Sequence, residues 1–121
     1  MNTTSPHILI EEEEFLIALD ADYLIATALE CRVSLLRPLQ LDELEDPALG
    51  DYTLCLLDVP LDPKHAIERA RRLRSAGVRV VFTTVSEAHR HGIDSMKDIV
   101  VVMKPFERDA LLAAVGTVGA D

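Results

Sequence analysis

At 121 residues, 49% hydrophobic and 27% charged, the chain suits one globular domain able to bury roughly two-thirds of its unfolded surface, with no room for a second. Against 12 basic residues stand 21 acidic ones, a formal charge of -9; this argues against nucleic acid, whose phosphates call for clustered Lys and Arg, and favours basic or metallic partners. Met1 to Pro6 carries no basic region ahead of an apolar core, and no apolar run approaches the roughly 18 residues of a membrane span, so a cytoplasmic protein without membrane contact is expected.

His7-Ile8-Leu9-Ile10 reads as a short strand, followed directly by the four carboxylates Glu11 to Glu14. From Phe15 the period changes: Phe15, Leu16, Leu19, Tyr23, Ala26 and Leu29 recur at three- and four-residue steps and predict an amphipathic helix. Cys31 to Leu36 is a second apolar segment, and 39–48 a weak acidic helix ahead of Gly50. Leu54-Cys55-Leu56-Leu57-Asp58-Val59-Pro60-Leu61 is an apolar run interrupted by one carboxylate, as in a central strand buried on both faces. Asp62-Pro63 starts a helix that closes at Gly77, since Asp accepts from free first-turn N–H groups and Gly suits a left-handed cap. Val78 to Thr84 is the fourth strand. Ser86 caps a poorly amphipathic fourth helix interrupted by Gly92, Ile99 to Met103 is the fifth strand, and Glu107 to about Val118 the fifth helix. Cys31 and Cys55 lie in apolar surroundings, so two buried thiols are expected rather than a disulfide. His7 and His65 read as surface residues, and His89 and His91, two apart, face different ways on a helix and make no metal pair. Five strands alternating with five helices predict an α/β three-layer sandwich, its parallel sheet in the flavodoxin-like order 2-1-3-4-5.

In such a sheet Glu12 and Glu13, Asp58, Thr84 and Lys104 all stand at the carboxyl ends of strands, where open α/β sheets bind ligands. Three carboxylates with Lys104 as the nearby cation repel one another, each pair at 4 Å by about 4 kcal/mol at an effective dielectric of 20, and a divalent cation would relieve this. All-oxygen ligands suit Mg²⁺ rather than zinc. Thr84 and Lys104 offer a hydroxyl and an ammonium to hold phosphoryl oxygens.

Four segments in order carry a resemblance: Ile8-Leu9-Ile10-Glu11-Glu12-Glu13-Glu14, Leu56-Leu57-Asp58-Val59-Pro60-Leu61, Val81-Phe82-Thr83-Thr84 and Lys104-Pro105-Phe106. Together they resemble a response-regulator receiver domain over about Ile8 to Val118, a single domain filling the chain. The resemblance implies that Asp58 accepts a phosphoryl group from a histidine kinase or phosphotransfer protein. It further implies that Glu13, Asp58 and the Pro60 carbonyl ligate Mg²⁺ with Glu12 acting through a water, that Thr84 and Lys104 hold the phosphoryl oxygens, and that Lys104-Pro105 is cis. Such a chain is a switch rather than a turnover enzyme. With no effector domain following in the sequence, its output is a contact with another protein, on the face of the fourth helix, fifth strand and fifth helix, which is also the expected surface for a homodimer.

The sequence departs from the family pattern at Glu13, usually Asp; at Val85, usually small and next to the phosphoryl site; at Val101, usually aromatic; and at Pro60. Glu13, Val85 and Val101 support a second reading, a pseudo-receiver that binds other proteins without phosphorylation. A flavin or nucleotide carrier is disfavoured because four glutamates after the first strand repel phosphate. A haloacid-dehalogenase-like phosphatase would need Asp in place of Pro60.

Overall fold

In the computed structural model, which describes residues 5–116, the strands are β1 (His7–Glu11), β2 (Arg32–Leu36), β3 (Leu54–Asp58), β4 (Arg79–Thr84) and β5 (Val101–Met103). They form one parallel sheet in the order β2-β1-β3-β4-β5, as expected. Alternation along each strand assigns the two faces. Leu9, Cys55, Leu57 and Phe82 pack on one side against α4 (Lys64–Ser75) through Ala66, Ala70 and Leu73. Ile8, Ile10, Leu54, Leu56, Val81 and Val102 pack on the other against α1 (Phe15–Ala26) and α5 (Arg108–Val115). Leu54 to Leu57 are therefore buried whichever way they point, which is why β3 reads as an unbroken apolar run.

Two further helices, α2 (Pro38–Glu43) and α3 (Asp46–Leu49), bring the total among the described residues to five, yet their distribution differs from the expected alternation. The weak helix over 39–48 is broken in two. Pro47 lacks an N–H and its ring would meet the Glu43 carbonyl of a continuous helix, so Leu44 and Glu45 turn extended. Both pieces are held by the basic helix opposite: Arg69 makes a bidentate pair with Asp42 at 2.8 Å, and Arg72 donates to Asp46 at 2.8 Å and to the Leu41 and Leu44 carbonyls. Arg74 pairs with Asp98, so three cations of α4 are spent within the molecule.

The expected fourth helix is absent. Between β4 and β5 only Glu87–His89 forms one 3₁₀ turn, and Gly92 at φ 120° carries the chain out of any right-handed helix. The surface assigned to output and dimer contacts thus has a turn where a helix was expected. The α1 stripe is also corrected: Ala18, Ala21 and Ile25 face the sheet, while Phe15 (64% exposed), Leu16 (79%) and Tyr23 (68%) face solvent. Apart from Asp20 and Asp22 the helix carries apolar residues on every side, so periodicity alone could not choose the buried side, and the smaller alanines allow it to sit close to the strands. α4 ends as expected, with Gly77 at φ 87° and the Val78 N–H donating to the Leu73 carbonyl at 3.0 Å. β5 starts two residues later than expected, and the predicted end of the last helix near Val118 lies outside the described residues.

His7 is half-buried rather than superficial, its Nε2 2.7 Å from Ser34 Oγ and its ring against Tyr52. Burial, with Arg32 nearby, lowers its pKa, and Asp51 acts against this. Cys55 is buried and free, whereas Cys31 is free and only half-buried. Among the described residues no helix is long and apolar enough to cross a membrane.

Candidate functional site

The end of β1 distributes the acidic run by parity. Glu11 continues the face of Leu9 and is buried, while Glu12 continues the face of Ile8 and Ile10 and is buried on the opposite side. Asp58 at the end of β3 pairs in register with Thr83, and Lys104 follows β5. The Lys104 Nζ lies 2.6 Å from Glu12 Oε1 and 2.6 Å from Asp58 Oδ1, a buried cation clasped by two carboxylates. Burial works against the Lys104 charge, but its hydrogen bonds to Asp58 and Glu12 outweigh that and hold its pKa above the ordinary lysine value. Glu12 Oε2 accepts from the Glu14 N–H at 3.1 Å, so the same carboxylate also fixes the turn into α1. Asp58 remains the accessible member, its side chain 22% exposed.

Glu11 is the residue that sequence reasoning missed. Its Oε1 accepts from the Asp58 N–H at 2.9 Å. Burial pushes its pKa up to about 7; the amide hydrogen bond and Arg69 act against the rise, and the Asp58 and Glu12 charges add to it. The available signal was alternation: two residues after Leu9, Glu11 had to point inward.

Thr84 reaches the end of β4 as expected, but its hydroxyl faces a backbone group, donating to the Val59 carbonyl at 2.7 Å and accepting from the Ser86 N–H at 3.0 Å. The Pro60 carbonyl is also engaged, 3.1 Å from His89 Nε2, which lies 2.9 Å from the Leu61 carbonyl as well. Glu13 is exposed and lines a groove with Phe15, Leu36, Arg37 and Gln40. Among the described residues no group of three or more carboxylate, imidazole or thiol side chains converges to hold a metal ion. The structure brings Glu12, Asp58 and Lys104 together, and Glu13 stands beside Glu12 on that exposed groove.

No family model and no curated protein matches this sequence. Solved structures do match. A protein of Burkholderia pseudomallei described as pilus assembly-related aligns with 99% of this chain and 96% of its own, at TM-score 0.75 and 23% identity. The PhyR response regulator receiver domain of Erythrobacter litoralis aligns over 96% and 91% at TM-score 0.74 and 20% identity. The beryllofluoride-activated DrrB receiver domain aligns over 98% and 100% at TM-score 0.71 and 21% identity. The chain has the receiver-domain fold. Within that fold Glu12, Asp58 and Lys104 share one edge of the sheet, and the Lys104-Pro105 peptide is cis. Val85, expected beside the phosphoryl site, is 67% exposed, and Val101 packs half-buried beside Phe82.

The donor chemistry of this receiver edge fits a hard divalent cation in kind. The groups are carboxylates and a carbonyl, and Asp58 Oδ1 alone is engaged by Lys104, leaving Oδ2 outside that bond.

Proposed function

We propose that this chain is a phosphoacceptor switch, taking a phosphoryl group onto Asp58 from the phosphohistidine of a histidine kinase or phosphotransfer protein. The observation that carries this reading is the clasp of Lys104 between Asp58 and Glu12, with Asp58 as its one accessible acid. An Asp58 oxygen attacks phosphorus, the N–P bond breaks, and the imidazole leaves with the bond's electron pair and takes up a proton. With Oδ1 held by Lys104, Oδ2 is the natural nucleophile, and the Lys104 ammonium offsets charge on the phosphoryl oxygens. Thr84 can contribute only after its hydroxyl leaves the Val59 carbonyl, and that exchange is the conformational step of the switch. Glu12, Glu13, Asp58 and the Pro60 carbonyl would hold a Mg²⁺, whose charge would lower the cost of bringing a phosphoryl group to an acidic edge.

The phosphodonor docks on α1. Its exposed Phe15, Leu16 and Tyr23 begin directly after the acidic turn beside Asp58, and Glu13, Glu14, Asp20 and Asp22 nearby favour a donor helix with basic flanks. Phosphorylation adds roughly -1.5 to -2 charges at Asp58, and the response is a change in protein contacts, not turnover.

A second reading, a pseudo-receiver, draws on Glu13 being exposed on the groove lined by Arg37 and Gln40 and on the engaged Thr84 hydroxyl. Incubation with acetyl phosphate and millimolar Mg²⁺, followed by intact-mass analysis, separates the two. One phosphoryl group per chain, lost in Asp58→Asn, is expected; no gain in mass leaves the pseudo-receiver.

A further inference from the structure

The loop that follows Asp58 is strapped at three successive carbonyls by side chains of the β4–β5 segment. Thr84 Oγ1 donates to Val59 O at 2.7 Å, and His89 Nε2 lies 3.1 Å from Pro60 O and 2.9 Å from Leu61 O. Both of its partners are carbonyls, so Nε2 must carry the proton and share it between them. Thr84 continues a strand, but His89 sits on the single 3₁₀ turn that replaces a helix. A groove of about 280 Å³ lined by Pro63, Ile67, Ala88, Gly92 and Ile93 lies beside the ring and gives it somewhere to rotate.

We infer that His89 is a positioning residue, a side-chain latch that keeps the Pro60 carbonyl occupied and holds the loop after Asp58 in its resting arrangement. A cation that takes this carbonyl competes with the imidazole for its lone pairs. Release of His89 and release of Thr84 from the adjoining carbonyl then form one event, because residues 59–61 are too short a segment to move independently at its two ends. The functional consequence rests on the phosphoacceptor reading above; the latch itself does not.

The test uses the whole chain as wild type, His89→Phe, which keeps a ring but loses the donor, and His89→Gln, which restores a donor. Backbone ¹⁵N relaxation without metal is expected to give order parameters at Leu61 and Asp62 near the rigid value of about 0.85 in the wild type, falling toward about 0.6 in His89→Phe and recovering in His89→Gln. Titration with Mg²⁺ alone, followed by amide shifts, is expected to show about fivefold tighter binding in His89→Phe, the equivalent of one neutral hydrogen bond of about 1 kcal/mol. Unchanged order parameters in His89→Phe overturn the latch, as does an Mg²⁺ affinity that is unchanged or lower while the wild type binds. If the order parameters fall as expected and none of the three proteins responds to Mg²⁺, the latch stands, and it is the Mg²⁺-dependent phosphoacceptor reading that fails.

Discussion

Glu11 and Lys104 show two ways of keeping an ionisable group inside this fold. Lys104 stays charged because two carboxylates surround it, whereas Glu11 has only the Asp58 N–H, and burial pushes its pKa from 4.5 up to about 7. Below pH 4.5 Glu11 is protonated in both the folded and the unfolded chain. Between pH 4.5 and 7 the unfolded chain ionises first, so stability is lost as pH rises through that window, by up to about 3 kcal/mol, and is flat above it. Urea midpoints measured across the window should therefore decline with pH in the wild type relative to Glu11→Gln; parallel profiles would show that Glu11 ionises freely in the folded chain. Asp58 and Lys104 were legible in the sequence because each stands alone at the end of an apolar strand. Glu11 and His89 were hidden, one inside a run of like charges and the other in a segment whose helical reading failed.

The short elements α2 and α3 depend on α4 for their position. Neither is long enough to be stable alone, and Arg72 ties both by donating to Asp46 and to the Leu41 and Leu44 carbonyls. Arg72→Ala should therefore lower stability by about 1–3 kcal/mol, read from thermal unfolding, while Arg71→Ala, on the exposed face of the same helix, should change it by less than about 0.5 kcal/mol. Equal effects would mean that the ion pairs merely decorate packing that is already sufficient. The sequence showed an acidic segment and a basic helix but not that they pair, since pairing is a property of how α2, α3 and α4 lie across the sheet. α1 makes the complementary point. With apolar residues on every side, its pattern announced a helix without saying which face is inward, and the surplus face is what the proposed donor would cover. Leu16→Ala with Tyr23→Ala should slow phosphotransfer from a protein donor about tenfold or more and leave labelling by acetyl phosphate unchanged. If both donors slow together, the substitutions have disturbed the pocket rather than a docking face.

At the scale of the whole molecule, the topology was readable because five strands alternating with helical segments fit the order 2-1-3-4-5, and because parallel strands buried on both faces, such as β3 and β4, give continuous apolar runs. The β4–β5 connection was not, because a helix was inferred there from the alternation of elements while the local sequence carried Gly92 and a weak apolar period. Such a fold, with its acidic edge formed where five strands end together, links ligand binding to global stability. If Mg²⁺ with beryllofluoride binds at Asp58, a concentration 100 times the Kd adds about 2.7 kcal/mol, which for a domain of this size raises Tm by about 10 °C. A chain of net charge -9 also gains stability from any salt that screens its self-repulsion, so the comparison must be made at matched ionic strength with NaCl. Scanning calorimetry should then show the full rise in the wild type and only the salt effect in Asp58→Asn. A rise of the same size in both proteins would place binding elsewhere than Asp58, and a rise in neither would leave the receiver fold serving as a protein-binding module, because the free energy that a phosphoryl group must supply to move Thr84 and His89 would have no point of entry.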